Sequence, residues 1–497
     1  MNKKTFFLLL AAIIIAGTFL RFYNLGDESF WLDEAATALT IKNYNVGSII
    51  HNTVSAGQIL PGYYFGNLDL PTYYVALKFW ANIFGLNEYA LRAFSALFGT
   101  ASIIILYFLA AEIFDKKTAL IASFIFSLSM SMIEYSQEAR LYMMLNFLVL
   151  LSAYFLIKSI KTNKTYYVTL FILANLLGIY THYPFLFFVI VEAVFIGCLF
   201  LIEFINTKKF KLTKINTSFF ILFLAYIPLL KYLTVPKFMS THFAGKISIL
   251  KLFEIFLQLN TWIYPSLEFK SKLFNFQYTL FSFHEWMVIL SVIFVTLALC
   301  IFSLKSVLDY RHKKEPSRLF LILWIIIAFC VPFAVLYKSI STFASIRHFL
   351  FIVPAYIVLA SSAISKLKNK HIALILGAFL VFSVFPISTY YLNANNAQYR
   401  QAVSYLEKNA GEKEPVIVNL PSVKVPFDYY SDTLKNTHGV SNVNEAKGIA
   451  ALNQSVWLVL STKYADQGGY IKNYFDKNYR LVKSKEFFDV SLFYYSK

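Results

Sequence analysis

MNKKTFFLLLAAIIIAGTFLRF (1–22) opens the chain and leads, after a short polar stretch, into FWLDEAATAL (30–39). Lys3 and Lys4 stand before an apolar run of the length a helix needs to cross a hydrocarbon core, about 20 residues. No small-residue cleavage site follows it, so it reads as a retained first helix and not a secretory signal. The second stretch places two carboxylates, Asp33 and Glu34, beside Phe30, Trp31 and Leu32, just past that helix.

The rest of the chain repeats the first pattern. Of 497 residues, 58% are hydrophobic, 19% aromatic and only 14% charged. Soluble domains carry roughly 45–50% apolar and about 25% charged residues. Apolar runs lie near 5–22, 89–113, 118–134, 141–158, 166–181, 184–204, 217–233, 284–304, 318–336, 349–365 and 371–391. The expected fold is therefore a polytopic all-α membrane protein with about eleven transmembrane helices. Cys198, Cys300 and Cys330 each fall inside an apolar run and read as core residues, not as a disulfide or zinc site.

The formal charge of +18 does not point to nucleic acid, because the cations sit in short clusters between apolar runs. With the N-terminus in the cytoplasm, the clusters at Lys116–Lys117, Lys158–Lys164, Lys208–Lys214, Lys305–Arg318 and Lys366–Lys370 all fall on the cytoplasmic side. That is the positive-inside bias expected of a multi-pass protein of the cell membrane. PTYYVALKFWANIFG (71–85) carries Lys78 and Asn82 and would invert this pattern if it spanned, so it reads as a helix on the outer surface. KISILKLFEIFLQLNTWIYP (246–265) reads the same way.

Residues 1–392 are expected to form the membrane domain, with a first outer loop at 23–88 rich in aromatic residues. Beyond 392 the long apolar runs stop. QYRQAVSYLEKNAGEK has helical spacing, and PVIVNL, VWLVLST and SLFYYS have strand character. Residues 393–497 are expected to form a small α/β domain outside the cytoplasm, because an odd number of spans precedes it.

Under this topology, polar groups gather at the outer face. They are Asp33 and Glu34; Glu138 and Arg140 in YSQEARLY (135–142); His182 and Tyr183 in THYP (181–184); Lys231, Lys237, His242 and Lys246; His284 and Glu285; and Lys338, Arg347 and His348. Each also has a purely structural reading. Asp33 and Glu34 suit the first turn of a helix. Glu138 and Arg140 suit an interfacial ion pair, Arg347 a snorkelling helix end, and His182 with Tyr183 an aromatic belt. Glu192 stands inside the sixth run, where a carboxylate is either functional or tied to a partner such as His182.

The order of these motifs is more specific than any one of them. An anchor helix, WLDEAATAL, PTYYVALKFWANIFGLNEYALRAFSALFG, SQEARLYMML, YTHYPFLFFV and IRHFLFIVPA follow one another over about residues 5–365. This succession resembles the GT-C superfamily of membrane glycosyltransferases, and most of all glycosyltransferase family 39, which holds protein O-mannosyltransferases and aminoarabinose or galacturonic acid transferases. Many relatives carry His-Pro-Pro before the Tyr-Tyr, where this chain has LDLPTYY with Asp69. Many also have Arg-Tyr where Arg347–His348 stands here.

The resemblance implies transfer of a sugar from a polyprenyl-phosphate donor to a hydroxyl acceptor outside the cytoplasmic membrane, with inversion. The acceptor class stays open between envelope lipid, glycan and protein. Asp33 is then the expected base, with Glu34 orienting it, binding acceptor or holding a helper metal. Arg347, helped by Lys78 and Arg140, is expected to meet the phosphate charge. No residue cluster has clear metal-ligand spacing, so no cofactor is required, although a divalent metal is compatible. A lipid-linked sugar transporter and a non-catalytic binding scaffold are the alternatives. The first predicts charges spread through the spans, whereas here most polar residues sit at one face.

Overall fold

A computed structural model describes residues 2–54, 70–209, 213–233, 249–260, 282–310, 316–338, 346–461, 466 and 468–497. Asp69, Lys211, Lys237, His242, Lys246, Arg311, Lys313 and Lys314 lie outside the described residues. The chain divides into two compact units. One comprises 1–23, 68–73 and 93–393, and the other 24–67, 74–92 and 394–497. Most of the first outer loop thus clusters with the C-terminal segment, while residues 68–73 belong to the other unit.

The helices, in chain order, are α1 (Lys3–Phe22), α2 (Leu32–Asn43), α3 (Val46–Val54), α4 (Pro71–Phe84), α5 (Glu88–Ile113), α6 (Lys116–Ser127), α7 (Met130–Glu134), α8 (Tyr142–Thr162), α9 (Thr165–Ile179) and α10 (Phe185–Thr207). They continue with α11 (Lys214–Leu233), α12 (Ile249–Asn260), α13 (Phe283–Tyr310), α14 (Pro316–Lys338), α15 (Val353–Ile364) and α16 (Asn369–Leu392). The C-terminal segment holds α17 (Tyr399–Asn409), α18 (Lys424–Tyr430), α19 (Val443–Ala451) and α20 (Tyr470–Asn478), with strands β1 (Val416–Asn419), β2 (Thr437–Val440), β3 (Ser455–Ser461), β4 (Arg480–Phe487) and β5 (Val490–Ser496).

Each of the eleven expected apolar runs is helical. Among the described residues six helices, α1, α5, α8, α10, α13 and α16, are long and apolar enough to cross a membrane by length and composition. Shorter apolar helical stretches lie at Thr165–Ile179, Lys214–Leu229, Pro316–Pro332 and Leu350–Ile364. The run at 118–134 breaks after Ser127 into α6 and the single turn of α7. Arg21, fully buried, explains how the break is tolerated. Its guanidinium donates to the carbonyl of Gly17 in its own helix at 2.8 Å and to those of Ser127 and Phe126, at the end of α6, at 3.3 and 3.4 Å. Gly17 lets α1 approach closely, since a Cβ there would stand 2.5 Å from Ile103 Cδ1.

In the membrane unit, α13 packs on α15, α8 on α9 and α10 on α14. Glu192 of α10 is fully buried, and its carboxylate accepts from Ser152 Oγ at 2.6 Å, which in turn accepts from Asn175 Nδ2 at 2.7 Å. Glu192 is therefore tied to a polar partner, Ser152 of α8.

The second unit is built on a five-stranded sheet of order β2-β1-β3-β5-β4. β1 runs parallel to β2 and β3, and β5 runs antiparallel to β3 and β4. One face carries Ile417, Leu458 and Tyr495 into a core beneath α19 and α20, where Phe475 of α20 meets them. The other packs Val416, Val418, Trp457 and Leu492 under Tyr399, Val403 and Leu406 of α17. Leu32 of the FWLDE stretch joins this second core, with Trp31 packed against it. The acidic pair of the first loop is thus seated on the C-terminal domain by the apolar residues beside it.

Candidate active site

Two groups of candidate residues emerge, one in each unit. In the second unit, Asp33 and Glu34 occupy the first turn of α2, the position where acidic side chains complement the helix dipole. Their fates differ. Asp33 is half-buried, and its backbone carbonyl accepts from Thr37 Oγ1 at 2.9 Å. Glu34 is fully buried and is gripped by Arg92, with Nε on Oε1 at 2.8 Å and Nη2 on Oε2 at 2.7 Å. Glu34 Oε2 also accepts the backbone N–H of Trp31 at 3.3 Å.

Arg92 does more than pair. It donates to the carbonyls of Leu25, Glu28 and Ser29 at 3.1, 2.9 and 3.0 Å, and stacks over the Phe30 ring at 5.3 Å. One guanidinium therefore fixes the path of the loop into α2. Such a bidentate, multiply bonded geometry is what makes a buried ion pair tolerable.

The C-terminal domain completes this frame. The Tyr430 hydroxyl accepts the Phe30 N–H at 2.6 Å and donates to Glu88 Oε1 at 2.8 Å. Arg400 reaches the same oxygen at 2.8 Å. Glu28 accepts the backbone N–H of Asn395 at 2.6 Å. Burial raises its carboxyl pKa above the ordinary range, an effect that the Asn395 N–H and Arg92 only partly offset. Lys78, expected at the donor phosphate, donates to the Ile41 carbonyl at 2.5 Å, near the C-terminal end of α2. There it neutralises a helix end.

In the first unit, Tyr142 is the centre of the second group. The guanidinium carbons of Arg140 and Arg347 stand 5.8 and 5.9 Å from its ring centroid. Arg347 Nη1 donates to its hydroxyl at 3.2 Å. His182 meets the same ring at 6.1 Å and Tyr183 at 4.5 Å, and His348 stands 5.8 Å from both His182 and Tyr183. Arg140, Arg347, His182, Tyr183 and His348, taken separately from the sequence, thus belong to one cationic and aromatic cluster, with Glu138 on the same loop.

The 135–141 loop that carries Arg140 is held at both ends. Gln137 Nε2 donates to the carbonyls of Leu20, Arg21 and Tyr23 at 3.2, 3.3 and 2.8 Å, capping the end of α1. The Arg140 carbonyl accepts from Ser95 Oγ at 3.0 Å. Ser136 sits against Gly99, where a Cβ would collide with its side chain. The EYALRAFSALFG and YSQEARLY motifs are therefore two halves of one packing arrangement. Among the described residues, no three His, Cys, Asp or Glu side chains form a metal-ligating group.

Sequence reasoning did not single out Arg92, Tyr142, Tyr430 or Arg400. Arg92 carried a signal, as a cation opening an apolar run within EYALRAFSALFG. Tyr142 carried none beyond its place after Arg140.

Over 99% of its length, the chain superposes on 98% of ArnT from Cupriavidus metallidurans in the apo state, with a TM-score of 0.62 at 11% identity. The chain has the GT-C fold. The GT-C fold expected from the order of the motifs is thus borne out, with a small C-terminal sheet. The same ArnT bound to undecaprenyl phosphate aligns with a TM-score of 0.58 at 12% identity, over 99% of this chain and 98% of that one. An Archaeoglobus fulgidus oligosaccharyltransferase tethered with an acceptor peptide shares the GT-C architecture over 93% of this chain and 70% of its own, with a TM-score of 0.56 at 13% identity.

Residues 71–232 match the family model described as dolichyl-phosphate-mannose-protein mannosyltransferase. A protein of Aquifex aeolicus described as uncharacterized is 31% identical over 186 residues, 36% of this chain. A putative mannosyltransferase of Bacillus subtilis, YkcB, is 24% identical over 172 residues, 33% of this chain. The matched stretches span 35% and 22% of those relatives' own length.

Proposed function

We propose that the chain is a membrane glycosyltransferase that moves a sugar from a polyprenyl-phosphate carrier to a hydroxyl acceptor, with inversion. The N-terminus lies in the cytoplasm, and the C-terminal domain and first loop lie outside the cell membrane. The observation that carries this reading is the pair of guanidiniums, Arg140 and Arg347, around Tyr142. A lipid phosphate needs fixed cations within reach of its anion, and Arg presents donors in the fork geometry that phosphate oxygens match. The mannosyltransferase-type domain and the likeness to a protein that binds undecaprenyl phosphate support the same reading.

In this mechanism the Asp33 carboxylate takes the proton of the acceptor hydroxyl as that oxygen attacks the anomeric carbon. The bond from that carbon to the phosphate oxygen breaks, and the phosphate leaves with the electron pair. Arg347 and Arg140 meet the charge that grows on it. His182, Tyr183 and His348 shape the donor site around Tyr142. With both its oxygens held by Arg92, Glu34 serves to hold the turn that presents Asp33. Lys78, engaged with Ile41, steadies the other end of α2. The acceptor is a lipid, glycan or protein hydroxyl.

The test uses purified protein and a lipid-linked sugar donor. Asp33→Asn is expected to lower turnover by about 10²–10⁴-fold, the usual contribution of a positioned base, with donor affinity retained. Arg347→Ala is expected to weaken donor binding. Undiminished turnover in the Asp33 variant removes the assigned base, and normal donor affinity in the Arg347 variant removes the assigned phosphate site.

A further inference from the structure

The C-terminal domain contains a cleft of about 760 Å³ whose wall includes Asn409, Lys413, Glu414, Trp457, Lys483 and Tyr494. It is built by three adjacent strands. Trp457 of β3 pairs in register with Tyr494 of β5, which pairs in turn with Lys483 of β4. The turn after α17 closes the other side. The Tyr494 ring packs against the buried indole of Trp457, centroids 4.8 Å apart at 31°, and Tyr405 packs on Trp457 from α17 at 6.2 Å. Tyr494 itself remains half-exposed.

The polar groups of the cleft are fixed as well. Glu414 accepts from the Tyr494 hydroxyl at 2.5 Å, from Ser455 Oγ at 2.7 Å and from the Gly411 N–H at 2.9 Å. Lys483 Nζ donates to Asn409 Oδ1 at 2.7 Å and lies 5.0 Å from the Tyr405 ring centroid. The cations Lys413 and Lys483 are balanced by Glu412 and Glu414 in the same wall.

We propose that this cleft binds an uncharged di- or trisaccharide, stacked on Tyr494 and hydrogen-bonded by Glu414, Asn409 and Lys483. A sugar ring has an apolar C–H face that suits a rigid aromatic platform, and a rim of hydroxyls that suits carboxylate, amide and ammonium groups together. The balanced charge of the wall favours a neutral ligand over an acidic one. The volume lies within the range of about 300–1,000 Å³ typical of small-molecule sites. The binding site stands on its own residues and does not depend on the transferase reading, which concerns other parts of the chain.

The experiment is saccharide binding to the purified full-length protein in detergent, followed by saturation-transfer NMR and tryptophan fluorescence, with mannotriose, maltotriose and cellotriose as probes. At least one probe is expected to bind with a dissociation constant of about a millimolar or tighter. Tyr494→Ala is expected to weaken it about tenfold, whereas Tyr494→Phe, which keeps the ring, changes it by less than about threefold. Asn409→Ala, an exposed substitution that leaves the core intact, is expected to weaken it about fivefold. Absence of binding by all three probes up to about 10 mM overturns the proposal. So does unchanged affinity in a folded Tyr494→Ala protein or, should that variant fail to fold, in Asn409→Ala.

Discussion

Arg92 closes on Glu34 with two parallel hydrogen bonds of 2.8 and 2.7 Å, and the two side chains are sealed from solvent at 3% and 0% exposure. Adjacent carboxylates in one sequence motif thus have opposite environments. Glu34 is spent on architecture, and Asp33 keeps access to the surface.

Removing one partner of such a pair leaves a buried charge without compensation. Arg92→Met is expected to destabilise the second unit by about 3–5 kcal/mol. The double variant Glu34→Gln/Arg92→Met is expected to recover a large part of that loss, because neither charge is then stranded. Thermal unfolding of the purified variants measures both. Equal melting temperatures for wild type and Arg92→Met would show that the pair does not hold the turn.

Tyr430→Phe deletes one hydroxyl that serves the Phe30 N–H and Glu88 at once. The expected cost is about 1–3 kcal/mol, since a buried donor loses its partner. Turnover is expected to fall while donor affinity stays at the wild-type value, because Tyr430 frames the acidic loop and not the Tyr142 cluster. A matching change in donor affinity would contradict that division of labour.

Gly99→Ala drives a methyl group into Ser136. Overpacking of this kind costs about 1–3 kcal/mol, and here it also shifts the loop that carries Arg140. Weaker donor binding is expected, with partial rescue by Ser136→Gly. Wild-type donor affinity in Gly99→Ala would separate the loop from the donor site.

His438 of β2 gives the second unit a pH dependence. Burial, together with the nearby Lys424, holds its imidazole pKa below the ordinary value. The unfolded chain therefore takes up the proton first as pH falls. The stability associated with neutral His438 is complete above about pH 6.5 and is lost progressively below it. Melting temperature is expected to fall less steeply over that acid range in His438→Gln than in wild type, as followed by circular dichroism. Identical slopes would exclude His438 as the source.

Much of this fold is legible in the sequence because the bilayer leaves the backbone few choices. An apolar run without water to bond to must be helical, and all eleven runs are. The break after Ser127 was not legible, since it depends on Arg21 arriving from another helix. In the C-terminal domain, the apolar strands β1, β3 and β5 announced themselves. β4, RLVKSKEF, did not, because it is an exposed edge strand with no buried side chain to set an alternating pattern.

The candidate residues were legible as chemical types but not as partnerships. Glu34 and Arg92 are 58 positions apart, and Arg347 and Tyr142 are 205 apart. No local pattern encodes such meetings. Lys78 shows the same limit: a cation in an amphipathic helix reveals its charge but not the carbonyl it meets.

The seating of Leu32 and Trp31 among residues such as Tyr399, Phe427, Trp457 and Leu492 has a consequence for biogenesis. The ribosome delivers the acidic turn first and its apolar cradle last. At about 5–20 residues per second, some 400 residues of chain impose a delay of roughly 20–80 s. Until then the turn has the grip of Arg92 but not its apolar cradle, so its seat on the sheet is complete only when translation is nearly finished. A prematurely terminated chain would keep the acidic turn and lack the residues that seat Leu32 and Trp31.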